Sequence, residues 1–213
     1  IISRQYAPID IEHLTLKDKT VLTAAGSNIV QWKNFFAEQN YLNHEVNFGG
    51  SRKTVIQDKR AYVADWFSGL HIYDIREPKH PRLLGSLPTE GSPKGIALRD
   101  HIVYLADDDN GLLVIDVTDP NNPRPIANFD TPGLAYAVTL QDNYLYLADH
   151  GEGFQIIDIS DPRLPKRISS VKTKGKVWAI QVQNERAYIA DDQNGIVIYA
   201  IDSKQKPVEL GHY

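Results

Sequence analysis

The feature that most constrains this sequence is a repeat of 42 residues. The segments AYVAD, VYLAD, LYLAD and AYIAD begin at positions 61, 103, 145 and 187, so each step is 42 residues. The same step separates four glycines and four prolines: Gly69, Gly111, Gly153 and Gly195, and Pro81, Pro123, Pro165 and Pro207. Because self-similarity at a fixed period is the signature of repeat architectures, the chain is predicted to stack copies of one structural unit.

Each unit predicts four short strands, as the third unit illustrates at residues 95–99, 102–106, 112–117 and about 125–130. The second strand is rich in β-branched and aromatic residues, and Asp, Asn and Gly follow it, which is typical of a hairpin. The Asp-Pro-x-x-Pro stretch after the third strand cannot continue a strand ladder. Four antiparallel strands in about 40 residues predict an all-β fold, a β-propeller of four-stranded blades.

The period divides residues 1–213, predicted to form a single domain, into five units at about 8–48, 49–90, 91–132, 133–174 and 175–213. The first unit is degenerate, with TVLTA at 20–24 and IVQW at 29–32 as its second and third strands. Residues 1–7 align with a fourth strand, as do Val208–Tyr213. Two arrangements remain open: a ring of about five blades closed by residues 1–7, or a part of a larger propeller to which residues 1–7 remain from an upstream blade.

Composition narrows the possible classes of function. The formal net charge of −4, from 23 basic and 27 acidic residues, provides no broad cationic surface for nucleic acid. No apolar stretch approaches the roughly 20 residues that cross a bilayer, and residues 1–10 lack a signal-peptide pattern. The sequence has no cysteine, which excludes disulfides, thiol nucleophiles and thiolate metal sites. We therefore expect no nucleic-acid partner and no transmembrane segment in this chain.

The sequence LVID at 113–116, preceded by Ala-Asp-x-x-x-Gly and followed by Asp119-Pro-x-x-Pro123, resembles the LVIVD repeat family of bacterial and archaeal propeller proteins. The resemblance covers residues 50–213 well and residues 10–49 loosely. The last unit departs from it, because Ala200 replaces the motif Asp and the Asp-Pro-x-x-Pro stretch is altered. The resemblance implies an extracytoplasmic location, in the periplasm, at the cell surface or secreted, and it supplies no catalytic residues.

In a propeller, the connection into the first strand and the hairpin between the second and third strands emerge at the same end, near the axis. The period aligns these loops residue by residue. The positions before the first strand hold Arg52, Lys94, Tyr136 and Trp178, and the hairpin positions hold Trp66, Asp108, His150 and Asp192. Loops on a rigid scaffold tend to carry binding residues. We therefore predict a ligand-binding site formed by Arg52, Lys94, Tyr136, Trp178, Trp66 and Asp108, with simple loop packing or drift of exposed positions as the alternative.

One Asp per hairpin repeats at positions 65, 107, 149 and 191, and is predicted to accept hydrogen bonds from the backbone amides of its turn. Asp107 and Asp109 could also supply oxygen ligands to calcium. However, Thr118 stands where an EF-hand loop has its closing Glu. The structural role is therefore favoured, and no cofactor is expected.

His150 is the one histidine at the predicted site that could act as a catalytic base, with Asp108 or Asp149 to orient it. The sequence contains no HExxH pair and no Gly-x-Ser-x-Gly elbow. Three functions are compatible with these residues. The favoured one is a non-catalytic binding module for a protein or glycan, and the alternatives are a hydrolase or lyase at the same end, or an architectural subunit of a larger surface protein. Self-association, or contact with other parts of a parent protein, is also compatible with the sequence.

Overall fold

The computed structural model describes residues 50–77 and 80–213, together with the backbone of four strands that precede them. These four are β1 (His13–Lys17), β2 (Thr20–Ala25), β3 (Asn28–Lys33) and β4 (Val46–Asn47), which form one sheet in chain order, the N-terminal sheet. The described residues form strands and turns, with no helix among them. The prediction of an all-β fold is confirmed.

Residues 51–212 form four four-stranded antiparallel sheets, which we call blades 1 to 4. Blade 1 consists of β5 (Ser51–Gln57), β6 (Arg60–Asp65), β7 (Gly69–Asp74) and β8 (Arg82–Leu87). Blade 2 consists of β9 (Gly95–Arg99), β10 (Ile102–Ala106), β11 (Leu112–Asp116) and β12 (Arg124–Phe129). Blade 3 consists of β13 (Ala137–Gln141), β14 (Tyr144–Ala148), β15 (Phe154–Asp158) and β16 (Lys166–Val171). Blade 4 consists of β17 (Val177–Gln183), β18 (Arg186–Asp191), β19 (Gly195–Ala200) and β20 (Val208–His212).

The strands of blade 2 begin and end within one residue of the boundaries predicted for that unit, but the predicted number of repeat blades was wrong. Four blades match the 42-residue repeat, rather than five. The degenerate N-terminal unit lacks the repeat's hairpin and linker residues, and its last strand, β4, has two residues. The prediction that residues 1–7 form a fourth strand lies outside the described residues.

Hydrophobic cores between successive blades hold the repeat together. Side chains alternate between the two faces of a strand, so each blade has a downstream face, toward the next blade in the chain, and an upstream face. Tyr104 and Val114 on the downstream face of blade 2 pack with Leu145, Leu147 and Ile157 of blade 3, and all five are almost fully buried. Equivalent cores join blades 1 and 2, and blades 3 and 4. The first strands of successive sheets also contact one another, in the order β1, β5, β9, β13 and β17. This arrangement is β-propeller-like.

Candidate ligand-binding mouth

Two groups of loops lie at one end of the blades, which we call the mouth: the connections into the first strands and the hairpins between the second and third strands. They meet because the first two strands of a blade are antiparallel, as in the pairing of Gly95 with Ala106. Two isolated β-bridges then tie a hairpin to the next blade, Asp108 to Ala135 and His150 to Val177. Side chains from successive blades are thereby brought within contact distance.

The mouth begins at blade 1 with a cation held against an aromatic ring. The Arg52 guanidinium carbon lies 3.9 Å from the centre of the Trp66 ring. The Lys94 ammonium of blade 2 lies 4.3 Å from the centre of the same ring. Such contacts are attractive because the face of an aromatic ring carries negative charge density. Trp66 therefore joins blade 1 to blade 2.

The Lys94 side chain is enclosed by its neighbours and is only 8% exposed. Its Nζ lies 2.8 Å from an Asp108 carboxylate oxygen and 4.4 Å from the centre of the Tyr136 ring. It also donates a long hydrogen bond of 3.4 Å to the Tyr136 hydroxyl. Three blades therefore surround one ammonium group, with one carboxylate to balance its charge.

Three rings continue the contacts to blade 4. Tyr136 and His150 are stacked, with ring centres 5.0 Å apart and planes 17° apart. Trp178 presents its edge to both, at 4.9 Å from Tyr136 and 4.8 Å from His150. Offset and edge-to-face pairs of this kind each contribute about 0.5–1.5 kcal/mol beyond the area that they bury. Trp178 remains 43% exposed, so the mouth presents an aromatic surface to solvent at this point.

All six residues predicted to bind a ligand, together with His150, lie in this one series of contacts across blades 1 to 4. Much of their contact surface is used internally, which agrees with the packing alternative for Lys94 and Tyr136. The outward apolar surface belongs instead to Trp178 and to Phe67, the neighbour of Trp66, which is 78% exposed. The period predicted that these residues lie at one end of the blades, but it could not show which side chains bond to one another and which face solvent.

His150 does not have the surroundings of a catalytic base. Within the described part of the chain, no hydrogen bond joins its ring to Asp108 or Asp149, and its contacts are with aromatic rings. Burial, followed by the positive charges of Lys176 and Lys94, lowers the pKa of His150. An imidazole without an orienting acid lacks the hydrogen bond that fixes its tautomer in acid–base sites.

Two of the repeated aspartates, Asp65 and Asp191, accept hydrogen bonds from backbone amides of their own turns, as predicted. The Asp65 carboxylate accepts hydrogen bonds from the backbone amides of Phe67 and Ser68 in its own hairpin, and from Gly50 N in the connection that enters the blade. Asp191 does the same with Gln193 N and Gly175 N. Asp65, Asp107 and Asp191 therefore each join a hairpin to a connection. Asp149 instead accepts hydrogen bonds from Gly133 N in the connection and from the Gln155 side chain on β15.

A glycine also recurs at the 42-residue step at positions 49, 91, 133 and 175, and it was not among the predicted site residues. Gly91, Gly133 and Gly175 lie in these connections. A Cβ on Gly91 would lie 1.9 Å from the Asp107 carbonyl oxygen, and one on Gly133 would lie 2.3 Å from the Asp149 carbonyl oxygen. Glycine is thus required because the connection passes against the hairpin backbone. The repeated Gly allows this close approach, and its backbone amide donates a hydrogen bond to the repeated Asp.

The carboxylate of Asp107 is occupied by protein donors. It accepts hydrogen bonds from the Thr89 hydroxyl, Gly91 N and the Asn110 side-chain amide. Burial raises the pKa of Asp107, against the lowering by these hydrogen bonds. Asp109 is exposed, and among the described residues no group of three or more His, Cys, Asp or Glu side chains could hold a metal ion. The hydrogen bonds of Asp107 thus go to its own hairpin and to the preceding connection, and calcium binding at Asp107 and Asp109 stays a prediction.

A second polar group at the mouth was also missed. The Ser68 hydroxyl lies 2.6 Å from an Asp65 oxygen and 2.7 Å from Nε2 of His71. The sequence signal was that His71 takes a position occupied by Leu113, Gln155 and Val197 in the other blades. Because the hydroxyl lies between the acid and the imidazole, Asp65 does not orient His71 as it would in a catalytic triad. We therefore assign this group to the stability of the hairpin.

The fold and the mouth together define a class of protein: a repeat protein with β-propeller-like blades that carries variable side chains at one end of a regular scaffold. Matches to the LVIVD repeat family model cover residues 49–89, 90–131, 132–173 and 174–213. The chain belongs to the LVIVD repeat family.

Two solved structures show the same fold at low sequence identity. The computationally designed Ika8 protein is 13% identical, with a TM-score of 0.74 over 95% of this chain and 61% of its own. A functionally unknown protein from Desulfotomaculum acetoxidans is 12% identical, with a TM-score of 0.75 over 97% of this chain and 70% of its own. The chain thus spans less than two thirds of the length of the designed protein. A search of curated proteins found no match. Within the described residues, no helix has the length and apolar character needed to span a membrane.

Proposed function

We propose that this chain is a non-catalytic binding module that recognises a protein or glycan partner at the mouth. One observation carries the proposal: side chains that vary from blade to blade converge at one end of a scaffold that otherwise repeats. Their outward surface combines the exposed ring of Trp178 with exposed polar groups on Lys176 and Asp192. An aromatic surface beside hydrogen-bonding groups suits a sugar ring or a protein side chain equally well.

The surroundings of His150 disfavour the alternative of a hydrolase or lyase. A base of that kind needs a group that holds it in position and a place for the proton that it removes. The rings of Tyr136 and Trp178 occupy the space around His150 and supply neither. Binding without chemistry needs only the surface that these residues present.

We also propose that the blades belong to a β-propeller that functions outside the cytoplasm. The location rests on the resemblance to exported members of the LVIVD family. The four repeat blades are proposed to be part of a larger propeller, since the two solved structures with this fold extend beyond the part that the chain matches.

The test of the binding proposal is the variant Trp178→Ala, assayed on a glycan array and by affinity capture from extracellular fluid or a cell-surface extract. We expect the variant to lose the partner captured by the wild-type chain while its melting temperature falls by only a few degrees, since Trp178 is 43% exposed. Leu83→Ala is the matched control, because Leu83 is 49% exposed on β8 and is not one of the mouth residues.

Tyr136→Ala should also abolish capture, but with a larger loss of stability, because Tyr136 contacts Lys94 and His150 as well as Trp178. Capture that is unchanged in both the Trp178 and the Tyr136 variants would remove the mouth as the binding site.

A further inference from the structure

The connection that enters blade 4, residues 172–178, presents alternate side chains to solvent. Lys172, Lys174 and Lys176 are exposed, and Trp178 of the mouth follows them. The residues between them are buried: Thr173, Gly175 and Val177. One connection therefore carries three ammonium groups on its solvent side and ends at an aromatic ring of the mouth.

Hydrogen bonds fix the backbone of this connection. Gly175 N donates to an Asp191 carboxylate oxygen at 3.1 Å. Lys176 N donates to an Asp192 carboxylate oxygen at 2.8 Å, and the Lys176 carbonyl accepts a hydrogen bond from Asp192 N at 3.1 Å. These backbone groups are already paired, so a partner at this connection meets side chains rather than a free strand edge.

The scaffold does not require the three lysines. Counting back by 42 residues, their positions hold Asp130, Pro132 and Leu134 in the connection into blade 3, and Pro88, Glu90 and Ser92 in the connection into blade 2. The exposure does recur, because Glu90, Asp130 and Leu134 are exposed although a described blade lies on each side of their connections. The exposure of the lysines thus belongs to the repeat itself, and the positive charge is specific to this connection.

Two of the three cations are left for a partner. The Lys172 ammonium donates to a Glu152 carboxylate oxygen at 2.8 Å and to the Gly151 carbonyl oxygen at 2.6 Å. In the part of the chain that the structure describes, no carboxylate forms an ion pair with the ammonium group of Lys174 or Lys176. An anion that approaches the connection can therefore pair with both without displacing a carboxylate of the chain.

We propose that the mouth recognises an acidic polysaccharide, whose carboxylate or sulfate groups pair with Lys174 and Lys176 while a sugar ring contacts Trp178. The inference deepens the proposed function and rests on it for the location of the site. Each acidic unit of such a polymer combines an anion with the apolar face of a sugar ring, which matches cations beside an aromatic side chain. An extended acidic peptide is disfavoured, because peptides bound in this way gain affinity from main-chain hydrogen bonds, and the backbone groups of Gly175 and Lys176 already have partners.

The test is calorimetric titration of the full chain with polygalacturonate as the carboxylated probe, dextran sulfate as the sulfated probe and dextran as the neutral reference. We expect binding to at least one acidic probe and none to dextran. Binding should weaken between about 50 mM and about 500 mM NaCl, because salt screens exposed charges. The double variant Lys174→Gln/Lys176→Gln should bind about tenfold more weakly, as expected for the loss of two exposed ion pairs.

The matched control is Lys166→Gln/Lys206→Gln, which removes the same charge at the opposite end of the blades. Lys166 begins β16, Lys206 precedes β20, and both are exposed. This variant should bind the acidic probes as the wild type does. Melting temperatures should match that of the wild type in both double variants, because all four side chains are exposed.

Three results would overturn the inference: no binding to either acidic probe, the same affinity in the two double variants, or tighter binding to polyglutamate than to both polysaccharides. The proposed function is decided separately, by the Trp178 and Tyr136 variants. A partner that is lost in Trp178→Ala but still captured by Lys174→Gln/Lys176→Gln would support the binding module and count against an acidic polysaccharide as its ligand.

Discussion

The enclosed ion pair of Lys94 and Asp108 allows a prediction of stability from the structure. In Lys94→Met, the apolar stem is retained and the charge is removed, so the Asp108 carboxylate, with 18% side-chain exposure, loses its partner at 2.8 Å. Removing one partner of a buried ion pair lowers the free energy of unfolding by about 3–5 kcal/mol. Because Asp108 keeps some exposure to solvent, we expect a loss at the lower end, about 3 kcal/mol. For a chain of this size that lowers the melting temperature by about 6–12 °C.

The assay is urea denaturation of the wild type, Lys94→Met, Asp108→Asn and the double variant. Asn is the appropriate replacement because residue 108 has a φ of 54°, which Asn tolerates. The double variant should recover at least about 1 kcal/mol relative to the sum of the single losses, as expected for residues in direct contact.

Lys172→Met provides the control, because the pair of Lys172 with Glu152 has the same distance, 2.8 Å, but side chains 62% and 43% exposed. Its loss should stay below about 1 kcal/mol. If Lys94→Met and Lys172→Met cost the same, or if the two losses at Lys94 and Asp108 simply add, then enclosure at the mouth does not strengthen this ion pair and the argument is wrong.

Two further predictions concern the scaffold. Gly91→Ala should lower the free energy of unfolding by about 1–3 kcal/mol in chemical denaturation, because the new Cβ would lie 1.9 Å from the Asp107 carbonyl oxygen. Gly151→Ala is the control and should change it by no more than about 0.5 kcal/mol, because nothing lies within 4 Å of its Cβ. Equal losses in the two variants would contradict the close approach of connection and hairpin. Burial raises the pKa of Tyr146 to about 12 and that of Tyr199 to about 12, from an ordinary value near 10. A raised folded-state pKa means that stability is fully present below pH 10 and is lost as the pH rises toward 12. We therefore expect tyrosinate absorbance to appear in two phases, the later one together with unfolding, and a single phase near pH 10 would refute this.

The repeat predicted the blades well because the physical requirements of a strand, a turn and a core position recur every 42 residues. A tyrosine at positions 62, 104 and 146 reveals a buried position because each copy faces the same surroundings. That inference fails at Tyr188, which has the same sequence context but an uncovered face. The burial of such a tyrosine depends on the neighbouring blade that packs against it, so it cannot be predicted from the sequence of its own blade.

The mouth was predictable in position but not in chemistry. The period placed Arg52, Trp66 and Lys94 at equivalent loop positions, but it could not predict that two cations share one indole ring, since that depends on distances across blades. The glycine at 91, 133 and 175 could have been recognised from its spacing alone. The physical requirement for glycine at these positions, the close passage of the connection against the hairpin backbone, can be found only from the structure.

The contacts of Lys94 with Trp66, Asp108 and Tyr136 span the junctions from blade 1 to blade 3 at a single end of the structure. The outer strands, such as β8 and β12, consist of exposed and half-buried residues and contain no fully buried position. Local opening should therefore begin at the outer edge and reach the mouth last, so that amide exchange would be slowest at the blade ends that carry the binding residues. A partner docking there would meet a surface that is already ordered, and little conformational entropy would be lost on association.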